Sequence, residues 1–509
     1  MRTDRVAVFV AVGSMSLAAL AGCTSSTRAS HVASASTSTT STVPATSLPA
    51  QTVSWVACSG DAGPAKYQCA TVQVPRNPRD PSQGTIGMAI DRRPASGQKI
   101  GSLLVNPGGP GASGIDTLPV LVASMPADLL ARFDVVSFDP PGVGRTAPIK
   151  CLDSAGLQSY YHVDPEPNTP TGFNTILGAD RTFATGCKDR SGPELPYVST
   201  VDAAMDMDVL RRDLGDPQLT YLGFSYGTLL GATYADLFPK NVRAMVLDGA
   251  LDPSLPVIDY LDQQAAGLDG QLHDFFTWCA ARANCGWRPS GDPRAAFESL
   301  LSRSRTTPLP AKGTSRTVGP SEVLYGTAVT LYNPTNWADL GIALGAATRG
   351  DGTYLLDFFD AYTGRQADGS YTNLFEANAA VNCLDTPAPD VATIQAAAPR
   401  AEAIAPIFGL QNLYSELTCS VWPVPATGKV GPLKAAGSAP IVVVGSTGDP
   451  ITPYQWAQSL ASQLQNGILL TRVGDGHTGY RASSCIRTNV DKYLIDLTAP
   501  AAGIRCPSD

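Results

Sequence analysis

Ser225 stands in Gly223-Phe224-Ser225-Tyr226-Gly227, a string whose small residues allow a strand to turn sharply into a helix and project a hydroxyl. A hydroxyl is a weak nucleophile at neutral pH, so a general base must lie within hydrogen-bond reach, and histidine is the usual choice. The chain offers 4 histidines. His31 falls in a Ser/Thr-rich stretch, His162 in a polar loop and His273 in a helical segment of the middle region. His477 lies in Gly474-Asp475-Gly476-His477-Thr478-Gly479, directly after an apolar run. A third group must hold the imidazole and stabilise its charged form, and an acid is expected between the serine and the histidine in chain order. Asp449, in Gly448-Asp449-Pro450 after the run Ile441 to Val444, fits best; Asp248 and Asp252 are its rivals, and Asp475 is too close to His477 to reach round easily. Charge developing on a carbonyl oxygen needs N–H donors already in place. Asn106-Pro107-Gly108-Gly109-Pro110-Gly111 supplies them through the Gly109 N–H, with Gly108 as its neighbour, paired with the N–H of Tyr226. The chemistry implied is acyl transfer through a covalent serine intermediate, and it needs no cofactor.

These residues must be carried on strand ends, and the pattern provides them. Val53 to Val56, Ala70 to Val74 and Ile86 to Ile90 read as short opening strands. Ser102 to Val105 and Phe133 to Phe138 are continuous apolar runs of the kind buried on both faces of a sheet. Met205 to Asp213 reads as a helix, Leu219 to Gly223 as a strand, Leu229 to Phe238 as a helix and Arg243 to Leu247 as a strand. Such alternation predicts a parallel sheet with right-handed crossovers. After Asp248 the regularity breaks, and it returns with strand Pro440 to Val444, helix Tyr454 to Leu464 and final strand Gly467 to Val473. A mainly helical cap inserted into one sheet explains both the break and the return.

A chain of 509 residues has room for a large core and such an insertion. Hydrophobic residues at 43% and charged residues at 16% suit a globular protein, and a net charge of −8 disfavours nucleic acid as a partner. Arg2 and Arg5 precede an apolar run from Val6 to Leu20 that is short for a membrane span, which predicts a signal peptide. It ends in Leu20-Ala21-Gly22-Cys23, similar to the bacterial lipobox, and the similarity implies a lipid on the Cys23 sulfur. From Thr24 to Pro49, 15 of 26 residues are Ser or Thr, a composition with little to bury, expected to act as a flexible tether. Of the 11 cysteines, setting Cys23 aside leaves ten, enough for five disulfides in an oxidising compartment. Their order suggests pairing of neighbours, each closing a local loop. Metal binding is not expected, because Cys279 and Cys285, the one tight pair, have no further ligand near them in sequence.

Taken together, Asn106 to Gly111, Asp139-Pro140-Pro141-Gly142-Val143-Gly144-Arg145, Gly223 to Thr228, Val246 to Gly249, Gly448 to Pro453 and Gly476-His477 resemble the secreted bacterial tripeptidyl aminopeptidases and their proline iminopeptidase relatives. The resemblance extends from about residue 50 to the C-terminus, in particular to lipid-anchored mycobacterial-type members that behave as peptidases or carboxylesterases. It implies an α/β-hydrolase fold with the triad Ser225, Asp449 and His477. Residues 1–22 would be a lipoprotein signal peptide and 23–52 the tether. Residues 53–250 would form the first part of the core, 251–435 the cap and 436–509 the last part of the core, similar to the C-terminal part of the tripeptidyl aminopeptidases. Asn106-Pro107 departs from the His-Gly-Gly-Pro of the iminopeptidases. An aminopeptidase must also hold its substrate's ammonium group, and Glu376 resembles in position the cap glutamate of the iminopeptidases. Asp385 is its rival, and an ordinary solvated acid is the preferred reading of either residue. The expected substrate is a peptide or an ester, and the expected location is the outer face of the cell membrane, through the lipid. The functional alternatives are an aminopeptidase releasing short N-terminal peptides, an envelope carboxylesterase, and a non-catalytic lipoprotein on the same scaffold.

Overall fold

The computed structural model describes residues 48–58, 66–167, 169–428 and 431–509; the signal peptide, Cys23 and nearly all of the tether lie outside them. Twelve strands are described: β1 Val56–Ala57, β2 Gln68–Pro75, β3 Thr85–Arg93, β4 Gly101–Asn106, β5 Phe133–Phe138, β6 Leu219–Phe224, β7 Val242–Asp248, β8 Leu309–Pro310, β9 Thr317–Val318, β10 Ile441–Gly448, β11 Gly467–Asp475 and β12 Arg505–Pro507. Ten form one sheet in the order β1-β2-β3-β5-β4-β6-β7-β10-β11-β12. The first three pair antiparallel, and from β5 onward every neighbour is parallel. The chain has the α/β-hydrolase fold.

The central strands carry apolar side chains on both faces because helices cover both. Leu104, Val136, Tyr221, Met245, Leu247, Ile441 and Val443 point to one face, where helices Thr200–Asp213 and Tyr226–Leu237 pack. Their alternates Leu103, Val105, Val135, Leu222, Val246, Val442 and Val444 point to the other, against helices Gly114–Val122 and Ser484–Asp496. Helix Thr200–Asp213 starts five residues before its predicted start because Ser199 and Asp202 form a reciprocal capping box. The predicted strand at residues 53–56 shrinks to the two residues of β1, and β12 is an edge strand that no periodicity marked.

Between β7 and β10 the chain leaves the sheet for a mainly helical body with its own core, built on residues such as Phe275, Trp287, Phe297, Leu340, Leu344 and Phe359. A second excursion was not foreseen. After β5, helices Ser154–Tyr161 and Pro170–Ser191 rise from the sheet and pack on the larger insertion. Glu376 is part of that joint: its Oε1 accepts the N–H groups of Cys151 and Leu152, the latter at 3.2 Å. Asn373 adds a second tie, accepting Gly144 N–H at 2.9 Å and donating to Gly142 O at 2.8 Å.

Five disulfides join sequence neighbours as expected: Cys58–Cys69, Cys151–Cys187, Cys279–Cys285, Cys383–Cys419 and Cys485–Cys506. Chain entropy ties the stabilisation to loop length, 36 residues for Cys151–Cys187 against 6 for Cys279–Cys285. Replacing both cysteines of the first pair by serine should cost about 4 kcal/mol and of the second about 2 kcal/mol. Urea titration followed by tryptophan fluorescence checks this; equal losses would show that loop closure is not what these bridges contribute.

Candidate active site

Ser225 occupies the turn between β6 and helix Tyr226–Leu237 with φ 55° and ψ −124°. A side chain at Gly223 would run into the Gly227 carbonyl, and one at Gly227 would come within 2.9 Å of Asn106 O and Oδ1. The two glycines are what this turn requires. It is tied down by Ser225 N–H to Asp248 O at 2.9 Å and by Thr228, whose N–H and hydroxyl donate to Ser225 O at 2.8 and 2.6 Å.

His477 follows β11. Its Nδ1 lies 2.9 Å from Asp449 Oδ2 and 3.0 Å from Oδ1, with both side chains almost wholly buried. Asp449 also accepts N–H groups from Ile451 at 3.0 Å, Thr452 at 2.9 Å and Thr478 at 3.2 Å, and the Thr452 hydroxyl at 3.0 Å. Burial alone would raise this carboxyl; the imidazole and the donors outweigh it and hold Asp449 below the usual carboxylate range. Thr452 Oγ1 sits 3.3 Å from the same Nδ1. Ser225 Oγ and His477 Nε2 are both buried, have no hydrogen-bond partner, and belong to residues lining one cleft of about 980 Å³. A buried polar atom without a partner is costly, so two of them on residues that line one cleft mark a place where something else is meant to bind.

Asn106 Oδ1 accepts the Gly108 N–H at 2.9 Å, which takes that donor out of use and leaves the Gly109 N–H. Gly108 has φ +102°, and a Cβ there would lie 2.9 Å from Ser225 Cβ and 2.6 Å from Phe224 O, so the loop rests directly on the serine turn. The Tyr226 N–H opens a helix and has no carbonyl one turn back within it. The Tyr226 N–H directly follows Ser225, and Asn378 Nδ2 braces the Asn106–Gly111 loop through Pro110 O at 3.1 Å.

The rival acids are engaged elsewhere. Asp248 is fully buried and accepts the Gly479 and Tyr480 N–H groups, each at 2.8 Å, so it clamps the loop after His477; burial, against those donors, raises its carboxyl to about 6. Asp252 accepts from Ser254 and Gln463, and Asp475 is exposed. Among the other histidines, His162 pairs with Glu322 at 2.7 Å and His273 is exposed. The amine-anchor role expected of Glu376 or Asp385 is not what their contacts provide. Neither lines the cleft: Glu376 is buried on the Cys151 and Leu152 amides, and Asp385 takes Thr200 N–H at 2.8 Å and its hydroxyl at 2.6 Å. Asp385 carries a raised carboxyl, about 7, because of burial.

Two supports of His477 escaped the sequence. Arg472 is buried and donates to the carbonyls of Gly476 at 3.0 Å, Thr478 at 3.1 Å and Asp475 at 2.6 Å, holding the loop from below. Its place in β11, two residues after buried Leu470, was readable as an inward-pointing charge. The Tyr332 carbonyl, from the large insertion, accepts His477 N–H at 2.8 Å, and its ring meets the imidazole edge-on at 5.7 Å. No group of potential metal ligands occurs among the described residues.

A nucleophile elbow, a buried histidine–carboxylate pair and an N–H-lined loop on this sheet define a serine hydrolase of the α/β-hydrolase class. Residues 101–288 match the alpha/beta hydrolase fold family and residues 405–506 the TAP-like protein family. The chain is 36% identical over 479 residues to serine protease Hip1 of Mycobacterium tuberculosis, covering 90% of this chain and 91% of that protein. It is 36% identical over 457 residues to carboxylesterase B of the same species, with 86% of each covered, and 33% identical over 470 residues to tripeptidyl aminopeptidase of Streptomyces coelicolor, with 89% and 86% covered. The chain belongs to this family of TAP-like α/β-hydrolases.

The two buried carboxylates predict different losses. Asp449→Asn should lower kcat by about four orders of magnitude, as removal of a triad acid does. Asp248→Asn keeps the imidazole's partner and weakens only the loop clamp, so roughly ten- to a hundredfold is expected, the worth of a hydrogen bond to a charged acceptor. Steady-state ester hydrolysis by the two variants distinguishes them; the reverse ranking would move the acid to β7.

Proposed function

We propose that Ser225, His477 and Asp449 act as nucleophile, general base and orienting acid, that Gly109 and Tyr226 N–H groups receive the oxyanion, and that the enzyme is an aminopeptidase releasing short N-terminal peptides. The observation that carries the reaction is the pair of partnerless atoms, Ser225 Oγ and His477 Nε2, in one cleft. His477 Nε2 takes the Ser225 proton as Oγ bonds to the substrate's carbonyl carbon, and the carbonyl electrons move onto oxygen, facing the two N–H groups. Collapse breaks the bond to the leaving amine, which takes the proton from His477. Water then repeats the sequence on the acyl-enzyme and frees Ser225. Asp449, held ionised by its donors, stabilises the imidazolium in both halves.

The peptidase assignment is supported by relatives whose names are serine protease and tripeptidyl aminopeptidase. The relative named carboxylesterase B supports the second reading, an esterase using the same machinery. We further propose that the protein is a lipoprotein held at the outer face of the membrane through Cys23. This is supported by Leu20-Ala21-Gly22-Cys23 and by the use of all ten other cysteines in disulfides. No helix among the described residues is long and apolar enough to cross a membrane.

Digestion of a mixture of unblocked peptides, with mass spectrometry of the products, tests the peptidase reading. The expected result is N-terminal fragments of uniform length, lost in Ser225→Ala along with hydrolysis of short-chain esters. Hydrolysis of esters with every peptide left intact would replace the aminopeptidase by the esterase.

A further inference from the structure

A second cavity, of about 150 Å³, lies at the seam between the two insertions, apart from the residues already assigned to catalysis. Asp180, on helix Pro170–Ser191, lines it and is 3% exposed. Its Oδ1 accepts the Tyr160 hydroxyl and the Thr418 hydroxyl, each at 2.8 Å. Its Oδ2 is buried without any partner, and no cation among the described residues pairs with it. Burial raises this carboxyl to about 6, which leaves it mostly ionised at neutral pH and poorly solvated. Such a group is stabilised by an incoming cation more than an exposed carboxylate would be, because its solvation has already been lost.

The walls suit an organic cation. Tyr161, Tyr325, Phe359, Tyr362, Phe375 and Tyr414 surround the cavity, and ring faces attract an ammonium group while accepting the apolar body attached to it. Shared walls link the cavity to the cleft. Tyr325, Tyr362, Gln411 and Ser415 line both it and a smaller space of about 30 Å³ that reaches Tyr332. Tyr332 in turn borders the cleft and holds the His477 N–H. On the other side Asn378 lines the cavity while donating to Pro110 of the oxyanion loop. The frame is rigid: Cys187 lies on the helix of Asp180, Cys419 lines the cavity beside Thr418, and each is disulfide-bonded.

We infer that this seam cavity receives the free amino terminus of a peptide substrate, with Asp180 as the carboxylate that pairs with its ammonium group. The inference rests on the peptidase reading and deepens it. The amine is anchored at the seam, in place of Glu376, and the span from there to Ser225 sets how many residues are released. Glu376 supports the site indirectly, since it fixes the amides of Cys151 and Leu152, where the disulfide to the Asp180 helix begins.

The test measures inhibition of p-nitrophenyl acetate hydrolysis by trialanine and by N-acetyl-trialanine. The wild type should bind the free amine roughly ten- to a hundredfold more tightly, the range expected for a charge-assisted contact. Asp180→Asn should abolish that difference while leaving ester turnover unchanged, which also shows that the variant is folded. Ala379→Leu, which fills the cavity without touching its charge, should weaken trialanine and spare the ester, and it decides the matter if Asp180→Asn does not fold. Equal binding of the two inhibitors by the wild type, or a preference for the free amine that survives both variants, overturns the inference. Intact peptides combined with amine-selective inhibition would discard the peptidase reading and keep the anchor; peptide cleavage with an undiminished preference in Asp180→Asn would do the opposite.

Discussion

The backbone of Ser225 is the constraint on which the rest of the site depends. A non-glycine residue at φ 55° and ψ −124° carries strain of about 1–3 kcal/mol and persists only where its surroundings over-determine it. Here β6 and residues 226–235 of the following helix are buried, the Ser225 amide is taken by Asp248 O, and Gly108 rests on the turn from the neighbouring strand. One strained residue thus sets where the hydroxyl points, where the Tyr226 N–H points, and how near the Asn106–Gly111 loop can come.

The histidine side is held differently, by charge in a dry environment. Asp248 and Arg472, both buried, grip the backbone of the 475–480 loop from opposite signs, and Asp449 grips the ring. Each carboxylate accepts backbone N–H groups, and the Arg472 guanidinium acts on both of them, which together keep negative charge in the interior. The large insertion completes the arrangement through the Tyr332 carbonyl, which accepts the His477 N–H and so ties that loop to the insertion.

What the sequence made legible follows from range. Ser225, His477, Asp449 and the Gly108–Gly109 loop sit in short motifs directly after strands, and the strands announce themselves by unbroken apolar runs. Asp248, Asp252 and Asp449 all lie between the serine and the histidine, and Asp449 is preferred for its loop one strand before His477; the observed contact agrees. Glu376 and Asp385 show where such reasoning ends. A carboxylate beside an apolar helical run looks the same whether it binds a ligand or two backbone amides of a segment more than 180 residues away. Asp180 carried no motif, and its isolation depends on a seam between two insertions, one of which had no periodic break to reveal it. β12 was missed because three residues at a sheet edge have no period, and Arg472 because its step of two from Leu470, which sets both on one face of β11, was passed over.

The most direct test of the central claim is to locate the nucleophile covalently. The protein is treated with one equivalent of a fluorophosphonate, residual ester hydrolysis is followed, and the adduct is mapped by peptide mass spectrometry. Inactivation in proportion to labelling, with the phosphonate on Ser225, is the predicted result. Full inactivation with the label on any other residue, or stoichiometric labelling of Ser225 with activity retained, would contradict it.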